Sequence, residues 1–201
     1  MTTVEIEIRH ARRDEAAEVA DVIAHAFSSM DQTRWLVPDA SARRAVLAGD
    51  FQILVEHAME HGTVYRAGEQ AVAVWVDRTK DVPEPADYER RLAEACGEYA
   101  ERFVTLDELF EAHHPADPHQ HLAMLAVRPE AQGMGLGAVL LRHHHAILDE
   151  AGVDAYLEAS DPANRKLYLR HGYADLGEPF ALPGAEPFFP MWRPAGATAA
   201  G

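Results

Sequence analysis

Apolar and polar positions alternate from Val4 to Arg9, the period of a half-buried strand. The period changes at Asp14. From there to Phe27, apolar residues fall at Ala17, Val19, Ala20, Ile23, Ala24 and Phe27, which is helical spacing. Asp31 to Asp39, with Trp35 and Pro38, reads as a loop, and Ser41 is placed to cap a helix running to about Met59. Thr63 to Arg66 and Gln70 to Asp77 read as a hairpin around Gly68. After Pro83 to Pro85 come two helical stretches, about 86–97 and 98–113, then a loop holding Pro115 and Pro118. A strand is predicted over 121–127, a helix over 138–150, a strand over 156–159 with a helix after it, and a last strand over 188–192. Pro194 to Gly201 is small and polar and is predicted to be disordered. The order implies one α/β domain over residues 1–193, a mixed sheet with helices on both faces.

Composition narrows the possibilities without choosing among them. A chain of 201 residues suits one domain with a full core, and 48% hydrophobic residues is ordinary for a globular protein. No stretch reaches the roughly 18 apolar residues of a membrane span. The N-terminus lacks the basic-then-apolar order of a secretory signal. The single cysteine, Cys96, excludes an internal disulfide and reads as a small buried hydrophobe rather than a nucleophile. A cytoplasmic protein, with no membrane partner, is the expectation. The net charge of −15, from 18 basic and 33 acidic side chains, argues against nucleic-acid binding, which needs a basic footprint. The same charge favours approach of a cationic amine, although solubility is the more ordinary reason for it.

The candidate chemistry centres on Gln132-Gly133-Met134-Gly135-Leu136-Gly137, between the strand 121–127 and the helix from Ala138. Strand, glycine turn and helix start build an anion site. Backbone N–H groups at a helix N-terminus lack intrahelical partners, and glycine removes the Cβ that would keep a ligand away. A nucleotide-hydrolase phosphate loop needs Gly-Lys-Ser/Thr, and no lysine stands here. A dinucleotide loop needs its third glycine one place later and lies near the start of a βαβ unit.

The loop, with Val127-Arg128-Pro129 before it, resembles instead the pyrophosphate loop of the GNAT acetyltransferases, Gln/Arg-x-x-Gly-x-Gly/Ala. A second segment strengthens the resemblance: the strand Tyr156-Leu157-Glu158-Ala159, then Asn164, then Tyr168-Leu169-Arg170-His171-Gly172-Tyr173. Ala71-Val72-Ala73-Val74-Trp75 and His114-Pro115-x-x-x-Pro118 make the chain most similar, within that family, to the puromycin N-acetyltransferase group. The resemblance covers everything except the tail, with 121–173 carrying nearly all its specificity.

The resemblance implies a mostly antiparallel central sheet and direct acetyl transfer from acetyl-CoA to a primary amine of a small molecule, possible acceptors including an aminonucleoside antibiotic. Other readings are a protein or peptide N-acetyltransferase and a non-catalytic CoA-binding module. It implies that Leu125, Ala126 and Val127 offer backbone groups to the pantetheine arm and acetyl carbonyl. Gln132, Gly133, Met134, Gly135, Leu136, Gly137 and Ala138 would hold the pyrophosphate, Asn164 the pantetheine arm, and Tyr168 would protonate the leaving thiolate. Many relatives carry a basic residue where Met134 stands, so a charge near the phosphates is missing here.

Three residues are candidates for the base that deprotonates the amine: Glu158, His119 and His121. The run His143-His144-His145 cannot chelate one ion from a helix, because successive residues point about 100° apart. His113-His114 and His119-x-His121 lack a carboxylate or cysteine at recognisable spacing, so no metal is expected. Phe27, Asp31, Trp35 and Trp75 are the candidate walls of the acceptor pocket, an aromatic enclosure with one carboxylate. A monomer or homodimer is expected.

Overall fold

The alternation at Val4 to Arg9 becomes a short strand, β1, Ile8–His10, in the computed structural model, which describes residues 7–198. Positions 4–6 of the expected strand lie outside that range. After a turn of 3-10 helix, α1 runs over Ala16–Phe27 and buries Val19, Ala20, Val22, Ile23 and Ala24. Its start is held by Glu15, which accepts hydrogen bonds from the Arg12 N–H and from the Arg9 and Arg66 guanidiniums.

The segment expected as a loop over 31–39 contains a helix, α2, Asp31–Leu36. Its geometry is made by Thr33, whose hydroxyl reaches the carbonyls of Phe27 and Met30. Six residues are too few for a period to show. The next helix, α3, covers Ala40–His61, and its cap is Asp39 rather than Ser41. The Asp39 carboxylate accepts from both the backbone N–H and the hydroxyl of Ser41, so serine here is the donor to the cap. Strands β2, Gly62–Ala67, and β3, Ala71–Asp77, form the expected hairpin, with Gly68 at φ +58°. Helices α4, Tyr88–Cys96, and α5, Ala100–His113, follow. Then come β4, Gln120–Val127; α6, Leu136–Ala151; β5, Ala155–Ala159; α7, Pro162–Leu169; a two-residue β6, Ala174–Asp175, that no pattern announced; and β7, Phe189–Arg193.

These strands form one sheet in the order β1-β2-β3-β4-β5-β7-β6. All neighbours are antiparallel except β4 and β5, which are joined through α6. One face buries Trp75, Leu140, Leu141, Leu157 and Met191 against α6. The other buries Val72, Val74 and Met124 against α1 and α3. A third apolar group, with Leu36, Leu47, Leu92, Cys96 and Phe103, sits under α2 to α5. Cys96 is buried as expected, and burial pushes its thiol up to about 12.

The tail expected to be disordered from Pro194 is held as far as Ala197. Asp154 accepts from the Ala195 N–H, Asp149 accepts from the Gly196 N–H, and Arg193 donates to the Ala197 carbonyl. Residues 199–201 lie outside the described range. Among the described residues, no helix is long and apolar enough to cross a membrane.

Candidate active site

The sheet opens at the parallel pair of β4 and β5. β4 and β5 share two register positions, Gln120↔Ala155 and His121↔Tyr156, and no pairing continues beyond them. A bulge in β4 marks the parting: β3 pairs Val74 with Met124 and Trp75 with Leu122, so Ala123 is left over and exposed. An extra residue bends its strand and ends regular pairing. Past His121, the β5-facing backbone edge of β4 has no strand partner among the described residues, although its other edge stays paired with β3 to Val127. Backbone polar groups in such a wedge need a ligand or solvent.

The glycine loop lies at the end of β4. Gly133 and Gly135 have φ of +79° and +81°, a region that disfavours side chains. Gly135 is the residue from which α6 starts. The first backbone hydrogen bond of that helix runs from the Val139 N–H to the Gly135 carbonyl. The N–H groups of residues 133–138 therefore have no partner among the described residues. Gln132 braces the loop by donating its side-chain amide to the Val127 carbonyl at 3.1 Å. A Cβ on Gly137 would come within 3.6 Å of Leu125, so the helix start packs on β4. Met134 is exposed.

The register of the parallel pair decides which side chains meet. Ala155, Leu157 and Ala159 go to the α6 face, so Tyr156 and Glu158 point to the other. His121 shares that face, and its Nε2 lies 2.8 Å from a Glu158 carboxylate oxygen. Burial opposes the charge on Glu158, but the adjacent His121 outweighs it and holds the carboxyl below its usual range. Next to them are His114, from the loop after α5, and His119. Their rings lie 4.9 Å and 6.3 Å from that of His121. Burial pushes His114 down to about 3, so its imidazole is neutral. His119, buried, donates Nδ1–H to the Asp117 carbonyl, which leaves the lone pair on its Nε2, an atom with no hydrogen-bond partner among the described residues.

The expectation that these histidines lack a carboxylate partner is corrected by the fold. Parallel pairing of β4 with β5 brings Glu158 to them, and His114, His121 and Glu158 place one ligand atom each within 4.8 Å of the other two.

Tyr168, on α7, is buried, and its hydroxyl has no hydrogen-bond partner among the described residues. Burial pushes its phenol above the ordinary value, so it stays protonated. Asp161 caps α7, accepting from the N–H groups of Ala163 and Asn164, as its position before Pro162 predicts. Asn164 is less free than expected. Its side-chain amide donates to Asp161 and to the Ser160 hydroxyl, which leaves its oxygen for a ligand.

The proposed acceptor walls separate. Trp75 is fully buried, its ring 4.2 Å from that of His144 on α6, and is core rather than pocket wall. Phe27 packs edge-on against Phe51. Asp31 is exposed and pairs with Arg34, and Trp35 lies under the Arg102 guanidinium. What brings α2 to the wedge is Gln32, buried, which donates to the carbonyls of Ser160 and Glu186 beyond β5. A further aromatic group, Phe110, His113, Phe180 and Phe188, joins the end of α5 to the loop before β7. The spread of these residues along the chain hid both features from sequence reasoning.

Residues 90–175 match the family described as "Acetyltransferase (GNAT) domain". The whole chain is similar to a solved Corynebacterium glutamicum protein described as histone acetyltransferase HPA2 and related acetyltransferase, at 28% identity, TM-score 0.69, covering 96% of this chain and 98% of that one. The fold is shared with the ribosomal-protein-S18-alanine N-acetyltransferase of Escherichia coli, at 17% identity, TM-score 0.55 and coverage of 97% and 96%. It is also shared with the PaiA N-acetyltransferase of Thermoplasma acidophilum, solved with coenzyme A, at 11% identity, TM-score 0.55 and coverage of 95% and 99%. The sheet that opens between β4 and β5 has the GNAT fold, and residues 90–175 are similar to the GNAT acetyltransferase domain. The protein is an acyltransferase of the N-acetyltransferase class.

Proposed function

We propose that this protein, with residues 1–193 as one domain, transfers the acetyl group of acetyl-CoA to a primary amine of a small molecule, an aminonucleoside being one candidate acceptor. The observation that carries the reading is the run of unpaired N–H groups at 133–138 beside a parallel strand pair that opens after two register positions. That run supplies neutral donors for a pyrophosphate, so binding needs no basic side chain at Met134 or elsewhere in this acidic chain. The edge of β4 at Leu125, Ala126 and Val127 takes the pantetheine arm and the thioester. A backbone N–H on the carbonyl oxygen stabilises the tetrahedral oxyanion, a contribution of about 3–4 kcal/mol in other enzymes. Asn164 offers its side-chain oxygen to the arm.

The amine reaches the carbonyl carbon from the side of Glu158 and His121. Its nitrogen forms the new C–N bond, and its proton passes to the Glu158 carboxylate, directly or through one water. The C–S bond breaks as the intermediate collapses, and the Tyr168 phenol gives its proton to the CoA sulfur. The aromatic group at Phe110, Phe180 and Phe188 bounds the acceptor side, with α2 held beside it by Gln32. Aromatic faces and net negative charge both suit a cationic amine with an aromatic part.

The test replaces Glu158 with glutamine in enzyme freed of metal ions. kcat is expected to fall by about a hundredfold or more, the contribution typical of a positioned base. KM for acetyl-CoA should stay unchanged. An unaltered kcat would remove Glu158 from the mechanism.

A further inference from the structure

We propose that His114, His121 and Glu158 form a binding site for a divalent transition-metal ion of the zinc class, and that the bound ion inhibits acetyl transfer. The inhibitory part rests on the base role proposed above for Glu158; the binding part does not. Two imidazoles and a carboxylate are a donor set that zinc accepts, and three protein ligands leave a fourth coordination position open.

The three residues come from different segments: the loop after α5, β4 and β5. One ligand atom from each lies within 4.8 Å of the other two. The register His121↔Tyr156 creates this convergence, because it sets Glu158 one alternation further along the same face. Two of the atoms are unspent. His114 Nε2 and Glu158 Oε1 are both buried with no hydrogen-bond partner among the described residues. The Glu158 side chain is only 6% exposed. A buried polar group without a partner is destabilising, and these two lie in the same three-residue cluster, with the Tyr156 hydroxyl as the neighbouring donor to Glu158. A cation satisfies both at once, and His121, whose Nε2–H donates to Glu158 in the free protein, joins as a ligand once that proton is released or moves to Nδ1. Arg78, whose charge is felt at His114, opposes the ion, so binding should be weaker than in a closed structural zinc site. Once bound, the ion holds the Glu158 electron pair that would otherwise take the amine proton.

A rival chelator exists elsewhere. His57 and His61 stand one turn apart on α3, with ring centroids 4.7 Å apart. The experiment therefore titrates chelator-dialysed, full-length protein with Co²⁺, followed by visible absorption, and with Zn²⁺, followed by calorimetry. It compares wild type, His114→Ala, the shape-conserving Glu158→Gln, and the double variant His57→Ala/His61→Ala. The expected result is one equivalent of metal with a tetrahedral-type Co²⁺ spectrum. Affinity should fall more than about tenfold in His114→Ala and Glu158→Gln, since even outer-shell changes cost that much. The double variant should bind as wild type does. Zn²⁺ should stop product formation with the same midpoint as binding, and a chelator should restore it. Product is followed as acetylated amine by mass spectrometry, because the released thiol itself binds zinc. Absence of saturable binding, binding indifferent to His114→Ala, or binding lost in the double variant would overturn the site. Full turnover at metal saturation would overturn the inhibition. Neither result touches the base role, which the metal-free Glu158→Gln rate judges separately.

Discussion

Removing the Tyr168 hydroxyl isolates a catalytic contribution from a structural one. Tyr168→Phe deletes one oxygen from a buried ring that packs edge-on against Tyr173 at 5.8 Å. The hydroxyl has no hydrogen-bond partner among the described residues, so no folded-state bond is lost and the melting temperature should not fall. The chemical step is another matter. A positioned proton donor contributes about 10²–10⁴-fold, which at about 1.4 kcal/mol per decade is roughly 3–5.5 kcal/mol of transition-state stabilisation. Burial holds the phenol above its ordinary range, so it remains a donor across the alkaline pH at which amines are assayed. The loss should therefore appear in kcat at every pH tested, with KM for acetyl-CoA unchanged. Steady-state thiol release and thermal melts on the same preparations measure both quantities. Unaltered kcat would refute the acid role. A parallel fall in kcat and melting temperature would refute the claim that the hydroxyl is unengaged.

Gly135→Ala should raise KM for acetyl-CoA and cost about 1–2 kcal/mol of stability, because the backbone there sits at φ +81°; initial-rate kinetics and denaturant melts report the two effects. Asp50, buried with one oxygen unpartnered, has its carboxyl pushed up to about 8 by burial, with Asp107 adding to it. A folded-state pKa above the ordinary 3.8 means that stability is complete below that value and is lost as pH rises towards 8. The slope is at most about 1.4 kcal/mol per pH unit. Asp50→Asn should flatten it and be the more stable form at alkaline pH; urea curves of equal pH slope for the two proteins would contradict this.

What was legible in the chain was local. The glycine loop announced itself because positive φ demands glycine at Gly133 and Gly135, and Asp161 announced the start of α7 because a cap precedes a proline. The long helices and the β2–β3 hairpin carry full periods. Short elements held by distant partners were hidden: α2 depends on Thr33 and on Gln32 reaching Ser160 and Glu186, and β6 exists only by pairing with β7. Trp75 was misplaced as a pocket wall although Ala71 to Val76 is apolar on both faces, the mark of a central strand with no open side. His121 and Glu158 are 37 positions apart, and only the parallel register joins them. The register His121↔Tyr156 sets His121 and Glu158 on one face, which no sequence spacing reveals.

The most direct measurement is acetyl transfer itself: chelator-treated protein, acetyl-CoA, and a panel of primary amines that includes puromycin, with released thiol quantified and each product identified by mass. The account predicts thiol release that depends on a small amine and an N-acetylated product in equal amount. Coenzyme A bound without any small amine acetylated across the panel would contradict it.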